Sequence, residues 1–157
     1  MIPWPKTPWN EIIPNLWQGG LHYQADPNDW DVEDAYPYDE FQLVVSLHPK
    51  LGFEPTPPIP EWRGRIPDGV LDNEDRRRVN EAVTATLAAL EDGKRVLVRC
   101  QAGYNRSGLV VALVLLAKGW TADEAIAHIR RQRSEWALCN EHFVGYIRER
   151  AGAEARR

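Results

Sequence analysis

The chain has 157 residues, 43% of them apolar and 27% charged, which suits one domain built on a single core. Its net charge of −4, from 19 Lys and Arg against 23 Asp and Glu, argues against general nucleic-acid binding. No apolar run approaches the roughly 18 residues of a membrane span, and Met1-Ile2-Pro3-Trp4-Pro5-Lys6 lacks the apolar centre of a signal peptide, so a cytoplasmic chain with no membrane partner is expected.

Residues 1–10 are rich in Pro and Trp and read as an extended lead-in. Ile12–Gly20 reads as a short strand pair or turn ending at Gly19-Gly20. Residues 22–40 are polar and acidic, which predicts a loop with a short helix near Tyr38–Phe41. Gln42–Leu47 is an apolar, β-branched run of strand length and predicts a buried strand. Prolines at 49, 55, 57, 58 and 60 force a loop. Trp62–Ile66 reads as an edge strand stopped by the turn sequence Pro67-Asp68-Gly69. Asp72 or Asn73 caps a helix over about 74–91, whose apolar face is Val79, Ala82, Val83, Leu87 and Leu90. Arg95–Arg99 is a strand, and a helix apolar nearly all round runs from Arg106 to Lys118. Thr121 and Glu124 form a capping box for a helix to Arg133, and a last helix covers about 140–150. Strands alternating with helices imply an α/β fold around a largely parallel sheet.

The chemistry concentrates in Val98-Arg99-Cys100-Gln101-Ala102-Gly103-Tyr104-Asn105-Arg106-Ser107-Gly108, between a buried strand and a buried helix. Ligands of open α/β sheets bind at the carboxyl ends of strands. A loop there can turn successive N–H groups inward as an anion nest, and the following helix adds its positive end. The backbone amides of Gln101, Ala102, Gly103, Tyr104, Asn105 and Arg106 would line that nest, with Gly103 permitting the tight turn. The Arg106 guanidinium is a planar fork suited to two phosphate oxygens. Cys100 at the base of such a ring is in surroundings that favour a thiolate nucleophile. The Ser107 hydroxyl is in reach to donate to the sulfur. A lone Cys after an apolar strand is usually a small core residue, and a lone Arg a solvated charge. Their joint spacing, with Gly103 between, points instead to a cysteine-dependent phosphatase needing neither metal nor cofactor.

These residues match the Cys-x5-Arg-Ser/Thr signature of protein tyrosine phosphatases, and the chain resembles the dual-specificity branch. Ile13–Gly20 resembles that branch's opening strand, Gln42–Leu47 its first buried strand, and Ala137–Phe143 the lead into its last helix. The resemblance covers roughly 11–150 of a single domain spanning 1–157. It implies a central four- to five-stranded, mostly parallel sheet with helices on both faces. It also implies hydrolysis of phosphate monoesters on protein tyrosine, and on serine and threonine, through a phosphocysteine. The family's general acid is an aspartate on a separate loop, and Asp68 in Ile66-Pro67-Asp68-Gly69 matches it, with Asp72 and Asp75 as rivals. One departure is Arg99, where the family usually carries a His that fixes the loop and tunes the thiol.

Asn105 before Arg106 also resembles the RNA 5′-triphosphatase branch of the same superfamily, an alternative substrate class. A phosphate-binding pseudophosphatase is a third reading. His22, His48, His128 and His142 lack ligand spacing and read as surface or capping residues. Cys139 reads as a core residue, and Arg130, Arg131 and Arg133 as a helix-end cluster facing the dipole. Arg63 and Arg65 flank the Asp68 loop as possible attractants for an acidic substrate, and the tryptophans are assigned no function.

Overall fold

The computed structural model describes residues 1–56 and 59–155; Pro57 and Pro58 of the proline-rich loop lie outside them. The elements in chain order are β1 (Trp9–Ile13), β2 (Leu16–Gly20), β3 (His22–Tyr23), β4 (Glu33–Asp34), β5 (Leu43–Ser46), β6 (Glu61–Arg63), α1 (Asn73–Glu91), β7 (Val96–Cys100), α2 (Arg106–Ala117), α3 (Ala122–Gln132) and α4 (Glu141–Ala155). Five strands form the central sheet in the order β1-β2-β7-β5-β6. Only the β1–β2 hairpin is antiparallel; β2, β7, β5 and β6 run parallel. A separate two-stranded ribbon pairs β3 with β4.

Register decides which side chains meet at the site. Gly20 pairs with Cys100, and Ser46 with Arg99, so the carboxyl ends of β2, β5 and β7 lie side by side. Alternation along β7 then sends Val96, Val98 and Cys100 to one face and Leu97 and Arg99 to the other.

The first of these faces carries all four helices. Val79, Ala82 and Val83 of α1, Leu109–Leu116 of α2, Ala125, Ile126 and Ile129 of α3, and Phe143 and Ile147 of α4 pack with Val45, Val96 and Val98 in one cluster. Its centre is α2, buried along its whole length from Ser107 to Leu116, as its unbroken apolar sequence requires. Asp72 caps α1 through a reciprocal pair with Asp75, and Thr121 caps α3 with Glu124 in the same way.

The opposite face carries no helix among the described residues, which corrects the expectation of helices on both faces. Phe41, Val44 and Leu97 are buried there against Trp9, Trp17 and Ile59. Segment 22–40, read from sequence as a loop with a short helix, spends its polar side chains on local turns. Asp26 accepts from the Asn28 amide at 2.9 Å and Asp29 from the Asp31 amide at 3.1 Å. Such bonds compete with helix formation. The helix expected near Tyr38–Phe41 is likewise a single turn, closed by Phe41 N donating to Tyr38 O at 3.3 Å.

Candidate active site

β7 ends at Cys100 and α2 begins at Arg106, so residues 101–105 form a loop at the carboxyl edge of the sheet. The loop's peptide carbonyls are held from below. Leu21 N donates to Gln101 O at 2.8 Å, and the buried Gln18 Nε2 donates to Gly103 O at 3.0 Å. Arg133 adds two more such bonds and ties the loop to β1 and the segment before it. Its buried guanidinium donates to Ala102 O at 2.9 Å, Gly103 O at 3.2 Å, Thr7 O at 2.9 Å and Asn10 Oδ1 at 2.8 Å. Burial lowers its pKa to about 10, with Cys100 and Tyr104 opposing that shift. With the carbonyls bound beneath, the opposite faces of the peptide units are left to present N–H groups above.

Gly103 has φ +81°, the left-handed region that glycine adopts without strain. A Cβ there would also meet Arg133 Nη2 at 2.5 Å and the Gly19 carbonyl carbon at 2.6 Å. Gly20 is needed for another reason: a Cβ would lie 2.5 Å from Gln101 O and 2.9 Å from Gly103 N. The Gly19-Gly20 pair, legible in the sequence only as a turn, is the ledge against which the loop packs.

A cleft of about 300 Å³ opens above this loop, lined by Ile2, Trp4, Asp68, Cys100, Gln101, Ala102, Tyr104, Asn105, Arg106 and Cys139. Of the residues expected to act, Cys100, Asp68 and Arg106 thus share one cleft. Gly103 and Ser107 lie behind it, both buried. Cys100 Sγ is 3.3 Å from Ser107 Oγ. Arg106 Nη1 lies 2.9 Å from His48 Nδ1, while its Nε is buried without a protein partner.

Asp68 is the only carboxylate among the cleft-lining residues. Asn140 Nδ2 donates to its Oδ1 at 2.8 Å and Asn105 Nδ2 to its Oδ2 at 3.2 Å. Asn105 Oδ1 in turn accepts from Asn140 N at 2.9 Å. The two amides tie the Asp68 loop, the phosphate-type loop and the start of α4 into one unit. The rivals Asp72 and Asp75 are occupied in the α1 capping box.

Four readings from sequence change. His48 is no surface histidine: its Nδ1 faces both Arg106 and Arg65, the latter at 3.2 Å. Burial, then the charges of Arg106 and Arg65, lower its pKa to about 4, so the ring is neutral and accepts. Cys139 is exposed on the cleft wall, 3.4 Å from Asn105 Nδ2, and not in the core. The preceding residue explains this. Leu138 sits at φ +59°, clamped by its amide on Tyr104 O and by Arg130 on its carbonyl, and this turn carries the chain back toward the cleft. Arg133 reaches under the loop instead of complementing its helix end, and Arg130 donates to Ala137 O and Leu138 O. Arg65 spends its guanidinium on His48 and Pro49 O, and Arg63 lies 3.6 Å from Glu61.

Arg99 points to the face opposite Cys100. It donates to Ser46 Oγ at 3.0 Å, Phe53 O at 2.6 Å and Glu61 Oε2 at 3.2 Å. Burial lowers its pKa, with Glu61 opposing. It therefore ties β7, β5, β6 and the proline-rich loop together and leaves the cleft alone. No described helix is long and apolar enough to cross a membrane, and no described cluster of His, Cys, Asp or Glu could hold a metal.

The family model described as "Dual specificity phosphatase, catalytic domain" matches residues 71–151. The fold is similar to human DUSP28, at 19% identity over 99% of both chains, with a TM-score of 0.76. It is also similar to a mouse putative dual specificity phosphatase, at 21% identity over 94% of this chain and 91% of that one, TM-score 0.70. A third similar structure is the human tyrosine phosphatase-like serine/threonine/tyrosine-interacting protein, at 19% identity over 94% and 97%, TM-score 0.68. No curated protein sequence matches the chain.

Proposed function

This chain belongs to the dual specificity phosphatase catalytic-domain family, and we propose that it hydrolyses phosphate monoesters on protein tyrosine, and on serine and threonine, using Cys100 as nucleophile. The observation that carries the reading is the convergence of Cys100, Arg106 and Asp68 on one cleft, from three separate elements.

In the first step the Cys100 thiolate attacks phosphorus, and the bond to the ester oxygen breaks. The departing oxygen takes a proton from Asp68. In the second step water attacks the phosphocysteine, gives a proton to the Asp68 carboxylate, and the S–P bond breaks to release phosphate. Arg106 and the amides of 101–106 hold the three equatorial oxygens while charge builds on them. The unpartnered Arg106 Nε supports this, because the guanidinium keeps a buried donor uncommitted while His48 steadies another. The nearness of Ser107 Oγ supports its hydroxyl as the donor that eases sulfur departure. Asn140 and Asn105 are positioning residues that aim Asp68.

The test is turnover of a small aryl phosphate without added metal, with phosphate release followed under excess substrate. Cys100→Ser should abolish turnover and keep phosphate binding; full activity in that variant refutes the mechanism. Binding without multiple turnovers in the unmodified protein would assign a pseudophosphatase. Preference for a 5′-triphosphate RNA over a phosphotyrosine peptide would assign the RNA branch.

A further inference from the structure

The lead-in at residues 1–8 joins no strand, yet it returns across the mouth of the cleft. Tyr104 Oη donates to Pro3 O at 2.8 Å, Gln24 N to Pro5 O at 2.8 Å, and Gly20 N to Pro8 O at 3.1 Å. Each acceptor is a proline carbonyl, on a residue whose φ is fixed. The arm is thus stiff and fastened at three points, one of them the loop that ends at Arg106.

This fastening puts an indole where the core does not need it. Trp4 belongs to neither apolar cluster of the fold. It is half-buried, makes a T-shaped contact with His22 at 5.6 Å, and lines the cleft together with Ile2. His22 is itself held, by Asp34 at 2.9 Å and against Phe53 at 5.2 Å. The floor of the cleft offers a sulfur, a guanidinium and amides, all suited to a phosphate group. One wall offers Trp4 and Ile2, which no phosphate group needs. An apolar wall beside a phosphate seat fits the phenyl ring of phosphotyrosine. Phosphoserine and phosphothreonine carry no ring to lay against it.

We infer that Trp4, presented by the N-terminal arm, is the wall against which the phosphotyrosine ring packs, and that it makes the site prefer phosphotyrosine to phosphoserine. This rests on the phosphatase reading of the cleft. Ring–ring contact together with the burial it brings corresponds to a preference of about tenfold. Tyr104, through Pro3, sets the height of the wall.

The experiment is calorimetry on the Cys100→Ser chain with three probes: inorganic phosphate, a phosphotyrosine peptide, and the same peptide with phosphoserine. Trp4→Ala in that background should lower the phosphotyrosine-to-phosphoserine affinity ratio about tenfold. Trp4→Phe should keep most of it, and Tyr104→Phe should fall between. An unchanged ratio in Trp4→Ala, or no preference in the parent while phosphate binds, overturns the role of Trp4 and leaves the phosphatase reading intact. If the parent binds none of the three probes, the phosphatase reading fails and this one with it. Thermal midpoints of the variants verify folding, and the paired Phe substitutions keep the arm testable if Trp4→Ala does not fold.

Discussion

Replacing Arg133 by alanine removes the guanidinium that holds the loop from beneath. Four bonds at 2.8–3.2 Å are lost, to Ala102 O, Gly103 O, Thr7 O and Asn10 Oδ1; Gly103 O keeps Gln18 Nε2 and Asn10 Oδ1 keeps the Thr7 hydroxyl, so Ala102 O and Thr7 O are left without their donor. A hydrogen bond to a charged group contributes about 1.5–3 kcal/mol, and a buried acceptor left alone costs about 1–3 kcal/mol. Against this stands the desolvation of the guanidinium, visible in its pKa near 10 and recovered when it is removed. Water entering the vacated space satisfies some acceptors. The net loss expected is about 3–5 kcal/mol, the range for breaking a buried charged network. At about 2–4 °C per kcal/mol for a chain of this size, the thermal midpoint falls by about 6–20 °C. Phosphate affinity falls as well, because the amides lose their common orientation. Arg133→Lys keeps a charge but not the fork, and is expected to lie between. Urea unfolding gives the first quantity and phosphate calorimetry the second. A variant within about 1 kcal/mol of the parent, with unchanged phosphate affinity, would refute the scaffold role.

Asp68→Ala should slow turnover of poor leaving groups more than of good ones, whereas Asp72→Ala should cost about 1 kcal/mol of stability without that pattern; the reverse outcome in a series of aryl phosphates would exchange their roles. Gly103→Ala forces a side chain into the left-handed region, at roughly 1–2 kcal/mol, and into contact with Gly19; loss of phosphate binding on calorimetry is expected, and retained affinity would contradict the geometry. The His48 pKa of about 4 lies below its unfolded value near 6.5. The unfolded chain therefore binds a proton that the folded chain refuses. Stability from this group is full above about pH 6.5 and is lost as the pH falls to about 4. Discounted for partial exposure, the loss is on the order of 1 kcal/mol; His48→Gln should show a shallower decline between pH 7 and 4.5 in urea titrations, and an equal decline would exclude His48 as the source. Arg99→His, which restores the family's usual residue, should destabilise the protein, because it breaks the ties to Ser46, Phe53 O and Glu61; a variant that gains stability would show those ties to be dispensable.

Local signals made much of this legible in the sequence. The cap of α1 at Asp72, the capping box of α3, the continuous apolar run of α2 and the β-branched strands β5 and β7 each encode their element within a few residues. The loop between β7 and α2 was legible for the same reason, since Cys100–Ser107 is one contiguous segment. What escaped depends on distance along the chain. Arg133 serves a loop about thirty residues earlier, and nothing beside it in sequence reveals that its side chain turns inward. His48 acquires its state only when Arg65 and Arg106 are brought to it. Cys139 reaches the cleft through the positive φ of Leu138, a backbone state no leucine advertises. Arg99 could be read either way until the register of β7 on β5 set Ser46 beside it.

The uneven covering of the sheet bears on how the molecule would tolerate sequence change. Beneath the four helices, a trimmed side chain has many neighbours to settle against. On the other side, the rings of Trp9 and Trp17 both meet Phe41 in T-shaped contacts, with centroids at 5.3 and 5.9 Å. That side has a keystone and little redundancy. Drift in the chain should therefore be absorbed under α1–α4 and punished at residue 41.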